Sequence, residues 1–216
     1  MSGTRPVVVV DYGRGNLFSV CQAVAKVGGE PRLSTDPAAV RTAERVILPG
    51  VGAFGDAMAG LRAHGLDEAV IAFAGTGRPL LGVCLGMQLL LDASTEFGHH
   101  AGLALLPGHV DRLPAPPVGG RHKIPNVGWC RLEPAPGGAQ WADTIFAAVK
   151  PGDFAYFVHS YAAHPRETGH RLADIDFAGT PACAAIAAGP ISGCQFHPEK
   201  SGEVGLAILD VFVNRI

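Results

Sequence analysis

The stretch Gly82-Val83-Cys84-Leu85-Gly86-Met87-Gln88 constrains the fold of this 216-residue chain more than any other. It follows the apolar run Pro79-Leu80-Leu81 and precedes the apolar, helix-prone run Leu89-Leu90-Leu91. That arrangement predicts a buried strand turning sharply into a helix, with small residues where the chain must bend. A cysteine at the apex stands at a helix N-terminus, where free N–H groups favour a thiolate. Gly82 and Gly86 allow strained backbone angles and the close approach of a substrate. The pattern G-x-C-x-G is the thiol counterpart of the nucleophile elbow that hydrolases build from G-x-S-x-G. The same residues also fit a buried structural cysteine ahead of a core helix.

The surrounding chain supplies the elements such an elbow needs. Val7 to Val10 is a β-branched run ending at Asp11, as expected of a central parallel strand buried on both faces. Gly13-Arg14-Gly15-Asn16 reads as a turn and Leu17 to Val27 as a helix closed by Gly28-Gly29. Pro31 to Leu33 is an edge-strand candidate, Pro37 to Thr42 helical, and Arg45 to Leu48 a third strand. Helices follow through Leu61 and over Leu66 to Phe73, before the strand that leads to Cys84. This alternation predicts an open, mostly parallel, twisted α/β sheet flanked by helices, with right-handed crossovers. In the second half, His109 to Pro117 is proline-rich, and Trp129 to Leu132 and Phe154 to Val158 read as strands. Cys183 to Ala188 and Ile191 to Phe196 flank Gly189-Pro190, a hairpin signal, and Val204 to Asn214 has the spacing of a closing helix. A smaller antiparallel strand set is therefore expected there. Residues 1–216 read as one domain, without repeats or linkers.

Composition excludes several classes of function. A net charge of −2 offers no basic field for nucleic acid or an anionic membrane. No apolar run approaches the roughly 20 residues of a membrane span, and no signal-peptide pattern precedes Val7. Five cysteines, an odd number without paired spacing, read as reduced thiols of a cytoplasmic protein. Cys21, Cys130, Cys183 and Cys194 read as packing residues.

A cysteine nucleophile needs a base and a group that holds the base. His197, in Gln195-Phe196-His197-Pro198-Glu199, follows a strand-like run at its carboxyl end, where sites in open α/β sheets assemble. Glu199 can turn back on the imidazole, fixing its tautomer and stabilising its cation. A surface turn carrying a solvated His and Glu is the plainer alternative. His159 is the rival base, and His99-His100 reads as a solvated loop. An oxyanion needs donors. The Leu85 amide is one by elbow geometry, and the loop Gly50-Val51-Gly52 can supply another. That loop also matches G-x-G-x-x-G, but Pro49 precedes it and Asp67 and Glu68 lie too near, so dinucleotide binding is disfavoured.

Taken together, these pieces resemble the class I, triad-type glutamine amidotransferases, whose fold is flavodoxin-like. Gly82 to Gln88 resembles that family's nucleophile block and Phe196-His197-Pro198-Glu199 its His and Glu block. Asp11 to Asn16, Pro49 to Gly55, Tyr156 to Tyr161 and Lys200-Ser201 narrow the resemblance to the glutaminase subunits of imidazole glycerol phosphate synthases. One departure stands out: those subunits usually read Pro-His-x-Gly-Trp-Asn, where this chain has Pro125-Asn126-Val127-Gly128-Trp129-Cys130. The resemblance implies a Cys84–His197–Glu199 triad that hydrolyses glutamine through a thioester. Leu85 with Val51 or Gly52 would hold the oxyanion. Gln88, Glu96, Gly52, Ser160 and Tyr161 would hold the amino-acid end of glutamine. It implies no metal and no cofactor. The implied partner is a (β/α)8-barrel cyclase subunit, in a heterodimer that makes imidazole glycerol phosphate and an aminoimidazole carboxamide ribonucleotide for histidine biosynthesis. Asn16, Trp129, Tyr156 and Lys200 are the candidate docking residues, although Trp129 and Tyr156 also fit a core. A glutaminase serving another synthase and a cysteine hydrolase of the same fold are the alternatives.

Overall fold

Continuous burial along the central strands marks a sheet covered on both sides. In the computed structural model, which describes residues 5–115 and 123–216, β1 (Arg5–Val10) is followed by α1 (Leu17–Lys26) and β2 (Gly29–Ser34). Next come α2 (Pro37–Thr42), β3 (Val46–Gly50), α3 (Phe54–Ala63), α4 (Leu66–Ala74) and β4 (Leu80–Cys84). Val7, Val9, Ile47 and Leu81 enter one core, with Val20 and Val24 of α1. Val8, Val10, Leu48 and Leu80 enter the other, with Phe54, Leu61 and Phe73 of α3 and α4. Period-two alternation has thus sent each β-branched run to both faces. Local chemistry fixes α2: Asp36 accepts from the Ala38 amide, and Pro37 opens the helix.

The elbow helix is shorter than the leucine run suggests. α5 (Leu85–Leu89) ends where β5 (Leu91–Ser94) begins. Leu91 pairs with Leu106 and Ser94 with Val110 of β7 (Leu106–Arg112), and β6 (His100–Ala101) lies on the other side of β5. Sheet pairing has overridden helix propensity from Leu91 onward. β7 also runs through the first part of the proline-rich stretch, because Pro114 falls beyond its end; Pro116 and Pro117 lie outside the described residues.

Seven further strands complete the molecule: β8 (Asn126–Arg131), β9 (Glu133–Pro134), β10 (Phe154–His159), β11 (Tyr161–Pro165), β12 (Arg171–Phe177), β13 (Thr180–Ala188) and β14 (Ile191–Cys194). α6 (Gly202–Asn214) closes the chain and packs Ile208 and Phe212 into the core that α1 covers. The main sheet runs β2-β1-β3-β4-β14-β13-β12-β9. Its pairings from β2 to β14 are parallel, and those from β14 to β9 antiparallel. Gly189-Pro190 forms the two-residue hairpin expected between β13 and β14. β8 and β10 form a separate antiparallel ribbon, and β11-β7-β5-β6 a third, mixed set.

Candidate active site

Register brings three distant stretches to one edge of the sheet. Gly50 at the end of β3 pairs with Cys84 at the end of β4, so Val51 and Gly52 leave the sheet beside Leu85. On the other side Val83 pairs with Cys194, so Gln195, Phe196 and His197 emerge next to the same elbow. All three strands run in parallel and present their carboxyl ends together, where open α/β sheets gather ligands.

Cys84 occupies a conformation that few residues adopt, with φ 55° and ψ −113°. Such strain at a nucleophile exposes its side chain above a sharp turn. The turn is possible because position 86 lacks a side chain: a Cβ on Gly86 would lie 1.8 Å from the Leu48 carbonyl oxygen. His197 stands beside Cys84 on one side, both lining the same cavity. On the other, its Nδ1 lies 2.9 Å from Glu199 Oε1. The imidazole is pinned through its backbone as well. Its amide donates to the Tyr156 carbonyl at 3.0 Å, and its carbonyl accepts from Ser201 Oγ at 2.7 Å.

Burial lowers the pKa of the His197 ring, but the hydrogen bonds and charges of Cys84 and Glu199 outweigh it and raise the value to about 9. At neutral pH the ring therefore holds its proton. His159, the rival base, has the opposite character. Burial pulls its pKa down to about 4 against the bond to Tyr161, with the His197 charge adding to the fall. Its Nδ1 faces the Tyr161 carbonyl at 2.8 Å and its Nε2 the Asn126 amide at 3.0 Å. Both nitrogens are engaged away from the sulfur.

A cavity of about 320 Å³ opens over the sulfur. Its walls bring together the expected Val51, Gly52, Leu85, Gln88, Glu96, Ser160 and Tyr161 with Cys84, His197 and Lys200. Glu96 follows β5 in a turn, and its Oε2 accepts from the Phe54 amide at 2.6 Å, capping α3. That carboxylate takes the place a pyrophosphate would need at this helix N-terminus, and Asp67 and Glu68 lie within α4, so the G-x-G-x-x-G match is not a dinucleotide site. His100 is no solvated bystander, because a Cβ on Gly55 would sit 2.7 Å from its ring. Cys183 and Cys194 are buried, and burial raises both thiols, Cys183 to about 12. The partly buried Cys21 and Cys130 are raised by burial too.

The expected docking residues divide. Trp129 is 55% exposed and meets half-buried Tyr156 edge-to-face at 5.9 Å, which places the tryptophan on the surface and not in the core. Lys200 is exposed at the cavity wall, and Asn16 is half-buried where α1 begins. Two contributors escaped sequence reasoning. Tyr12 donates to the Pro49 carbonyl at 3.0 Å and so supports the Val51–Gly52 loop from below. Burial, with the nearby Cys84, raises its phenol well above the usual range. Gln195, fully buried, directs its Nε2 at the Cys84 sulfur, 3.9 Å away. Its place two residues before His197 was the available signal.

Comparison with known proteins agrees with this geometry. A family model described as glutamine amidotransferase class-I matches residues 8–215. A Legionella pneumophila protein named imidazole glycerol phosphate synthase subunit HisH 1 is 45% identical over 208 residues, covering 96% of this chain and 98% of the relative. A Syntrophotalea carbinolica subunit HisH is 44% identical over 211 residues, covering 95% and 98%. A solved structure of PurLQS from Thermotoga maritima superposes with a TM-score of 0.74 at 21% identity, covering 98% of this chain and 99% of that one, and shows the shared flavodoxin-like fold.

Proposed function

We propose a catalytic mechanism from the premise that this chain belongs to the class I glutamine amidotransferases. It is the glutaminase subunit of an imidazole glycerol phosphate synthase, as its likeness to subunits of that name over nearly the whole chain supports. The observation that carries the mechanism is His197, held between the Cys84 thiol and the Glu199 carboxylate at the floor of the cavity.

The Cys84 thiolate attacks the side-chain carboxamide carbon of glutamine, and the carbonyl electrons move onto oxygen. Amides of Leu85 and of Val51 or Gly52 hold that oxyanion. His197, carrying the proton taken from the thiol, protonates the departing nitrogen; the C–N bond breaks, ammonia leaves and a thioester remains. The ring then takes a proton from water as the water attacks the thioester, and glutamate and the thiolate are released. Glu199 orients the ring and balances its charge throughout. Gln88, Glu96, Ser160 and Tyr161 line the wall against which the amino-acid end of glutamine rests.

Ammonia released into water is protonated and lost as a nucleophile, so the product is passed directly to a (β/α)8-barrel cyclase bound as the other half of a heterodimer. The β8–β10 ribbon supports this reading. Its outward side exposes Val127, Trp129, Phe154 and Val158, an apolar surface beside the cavity mouth. Lys200 and Asn16 extend the docking face, and the assembly works in the cytoplasm. Intact-mass spectra after incubation with an electrophilic diazoketone analogue of glutamine, with and without the cyclase, test the reading. A single adduct on Cys84, absent from Cys84→Ala, is expected. Folded protein that takes up no label under either condition would refute it.

A further inference from the structure

Asn126 begins a chain of hydrogen bonds that ends at the nucleophile. Asn126 and His159 face each other across the ribbon as a register pair. The Asn126 Nδ2 lies 3.0 Å from His159 Nε2, and His159 Nδ1 lies 2.8 Å from the Tyr161 carbonyl oxygen. That same carbonyl accepts from Gln88 Nε2 at 3.1 Å, and Gln88 Nε2 also donates to Gln195 Oε1 at 2.8 Å. Gln195 Nε2 then points at the Cys84 sulfur.

Donors and acceptors assign themselves along this path. A carbonyl only accepts, so His159 Nδ1 carries a hydrogen. Burial keeps the ring neutral, so Nε2 is bare and needs a donor. The Asn126 amide supplies it, and the Cys130 thiol, 3.7 Å from Asn126 Oδ1, braces the amide in that orientation. Both hydrogens of Gln88 Nε2 are used. No link is left with two donors or two acceptors facing each other.

We propose that Asn126 is a positioning residue, whose amide anchors Nε2 of the Nδ1–H His159 ring and thereby holds the Tyr161 carbonyl on the substrate wall. Gln88 and Gln195 are held in register with that carbonyl, so the wall that receives glutamine and the donor beside the sulfur are set together. The inference rests on the glutaminase reading for what the wall binds, but not for the tautomer itself. Asn126 touches neither substrate nor sulfur; it acts through His159.

Two measurements test it. In protein labelled with nitrogen-15 histidine, the resonances lost in His159→Gln identify this ring among nine histidines. Wild type should show a protonated Nδ1 and a bare Nε2. The opposite tautomer would overturn the proposal. In glutamine hydrolysis with the cyclase present, Asn126→Ala should raise KM about fivefold while kcat changes far less, as expected for one lost neutral hydrogen bond on a binding wall. Asn126→Asp keeps the shape but offers an acceptor where a donor is needed. It should raise KM at least as much and place protons on both ring nitrogens. A wild-type KM in either variant, or a loss confined to kcat, would overturn the proposal. Wild-type protein without any glutaminase activity would instead overturn the proposed function and leave the tautomer result standing.

Discussion

Glu199→Gln isolates the charge that the His197 ring depends on. The Glu199 side chain is 1% exposed, its Oε1 faces His197 Nδ1, and its Oε2 has no hydrogen-bond partner among the described residues. A glutamine can offer its amide oxygen to Nδ1–H and place its nitrogen where an oxygen made no bond. Shape is kept and charge is removed. The buried amide N–H adds a constant penalty of about 1–3 kcal/mol. The pH dependence carries the informative part. Against the opposing effect of burial, Cys84 and Glu199 together raise the ring from 6.5 to about 9. At about 1.4 kcal/mol per pH unit that gap corresponds to about 3 kcal/mol, an order-of-magnitude figure.

A ring that binds its proton more tightly in the folded state contributes stability that is fully present below its unfolded pKa of 6.5 and is lost as pH climbs through about 9. Urea unfolding followed from about pH 6 to about pH 10 should therefore show the wild type losing about 3 kcal/mol. In Glu199→Gln, with only Cys84 left to oppose burial, the loss over the same window should be smaller. For a domain of this size the wild-type Tm should fall by about 6–12 °C over the same window. Parallel stability curves for the two proteins would refute the assignment of the raised pKa to Glu199.

Three further substitutions probe the elbow and the docking face. Gly86→Ala drives a Cβ against the Leu48 carbonyl, backbone against backbone, and should cost more than about 3 kcal/mol in urea unfolding; a loss under about 1 kcal/mol would show that the elbow has room. Trp129→Ala removes an exposed ring, so unfolding should shift by less than about 1 kcal/mol while affinity for the cyclase, read by titration calorimetry, falls about tenfold or more. Lys200→Ala should likewise weaken coupling to the cyclase without changing the unfolding transition.

The parts of the molecule that sequence reveals are those whose signal is local. The β-branched run Val7 to Val10, the Pro37 helix start and the Gly189-Pro190 hairpin each carry their instructions within a few residues, and each element forms where those instructions place it. Leu89-Leu90-Leu91 misleads because nothing local announces that Leu91 will pair with Leu106. β12 is hidden for a related reason. Asp174 and Asp176 interrupt its apolar residues, and Asp174 is accommodated in a buried place by Arg171 at 2.7 Å.

The same distinction governs the site. Cys84, His197 and the Val51–Gly52 loop are legible because each stands at the end of a strand-like run, and parallel register then does the assembling. Gly50 opposite Cys84 and Cys194 opposite Val83 leave no freedom in which residues emerge together, since a one-residue slip would turn every buried side chain to the other face. The hydrogen-bonded amides obey a different rule. Asn126 meets His159 across 33 positions, and Gln88 meets Gln195 across 107. Neither pair has a periodicity or a neighbour to mark it. What specifies them is the cost of burying an amide without a partner, which only the folded arrangement reveals. Substitutions along that path should therefore be tolerated in pairs that preserve the donor order and penalised singly. Asn126→Asp, which inverts the donor order without changing size, is the sharpest single case.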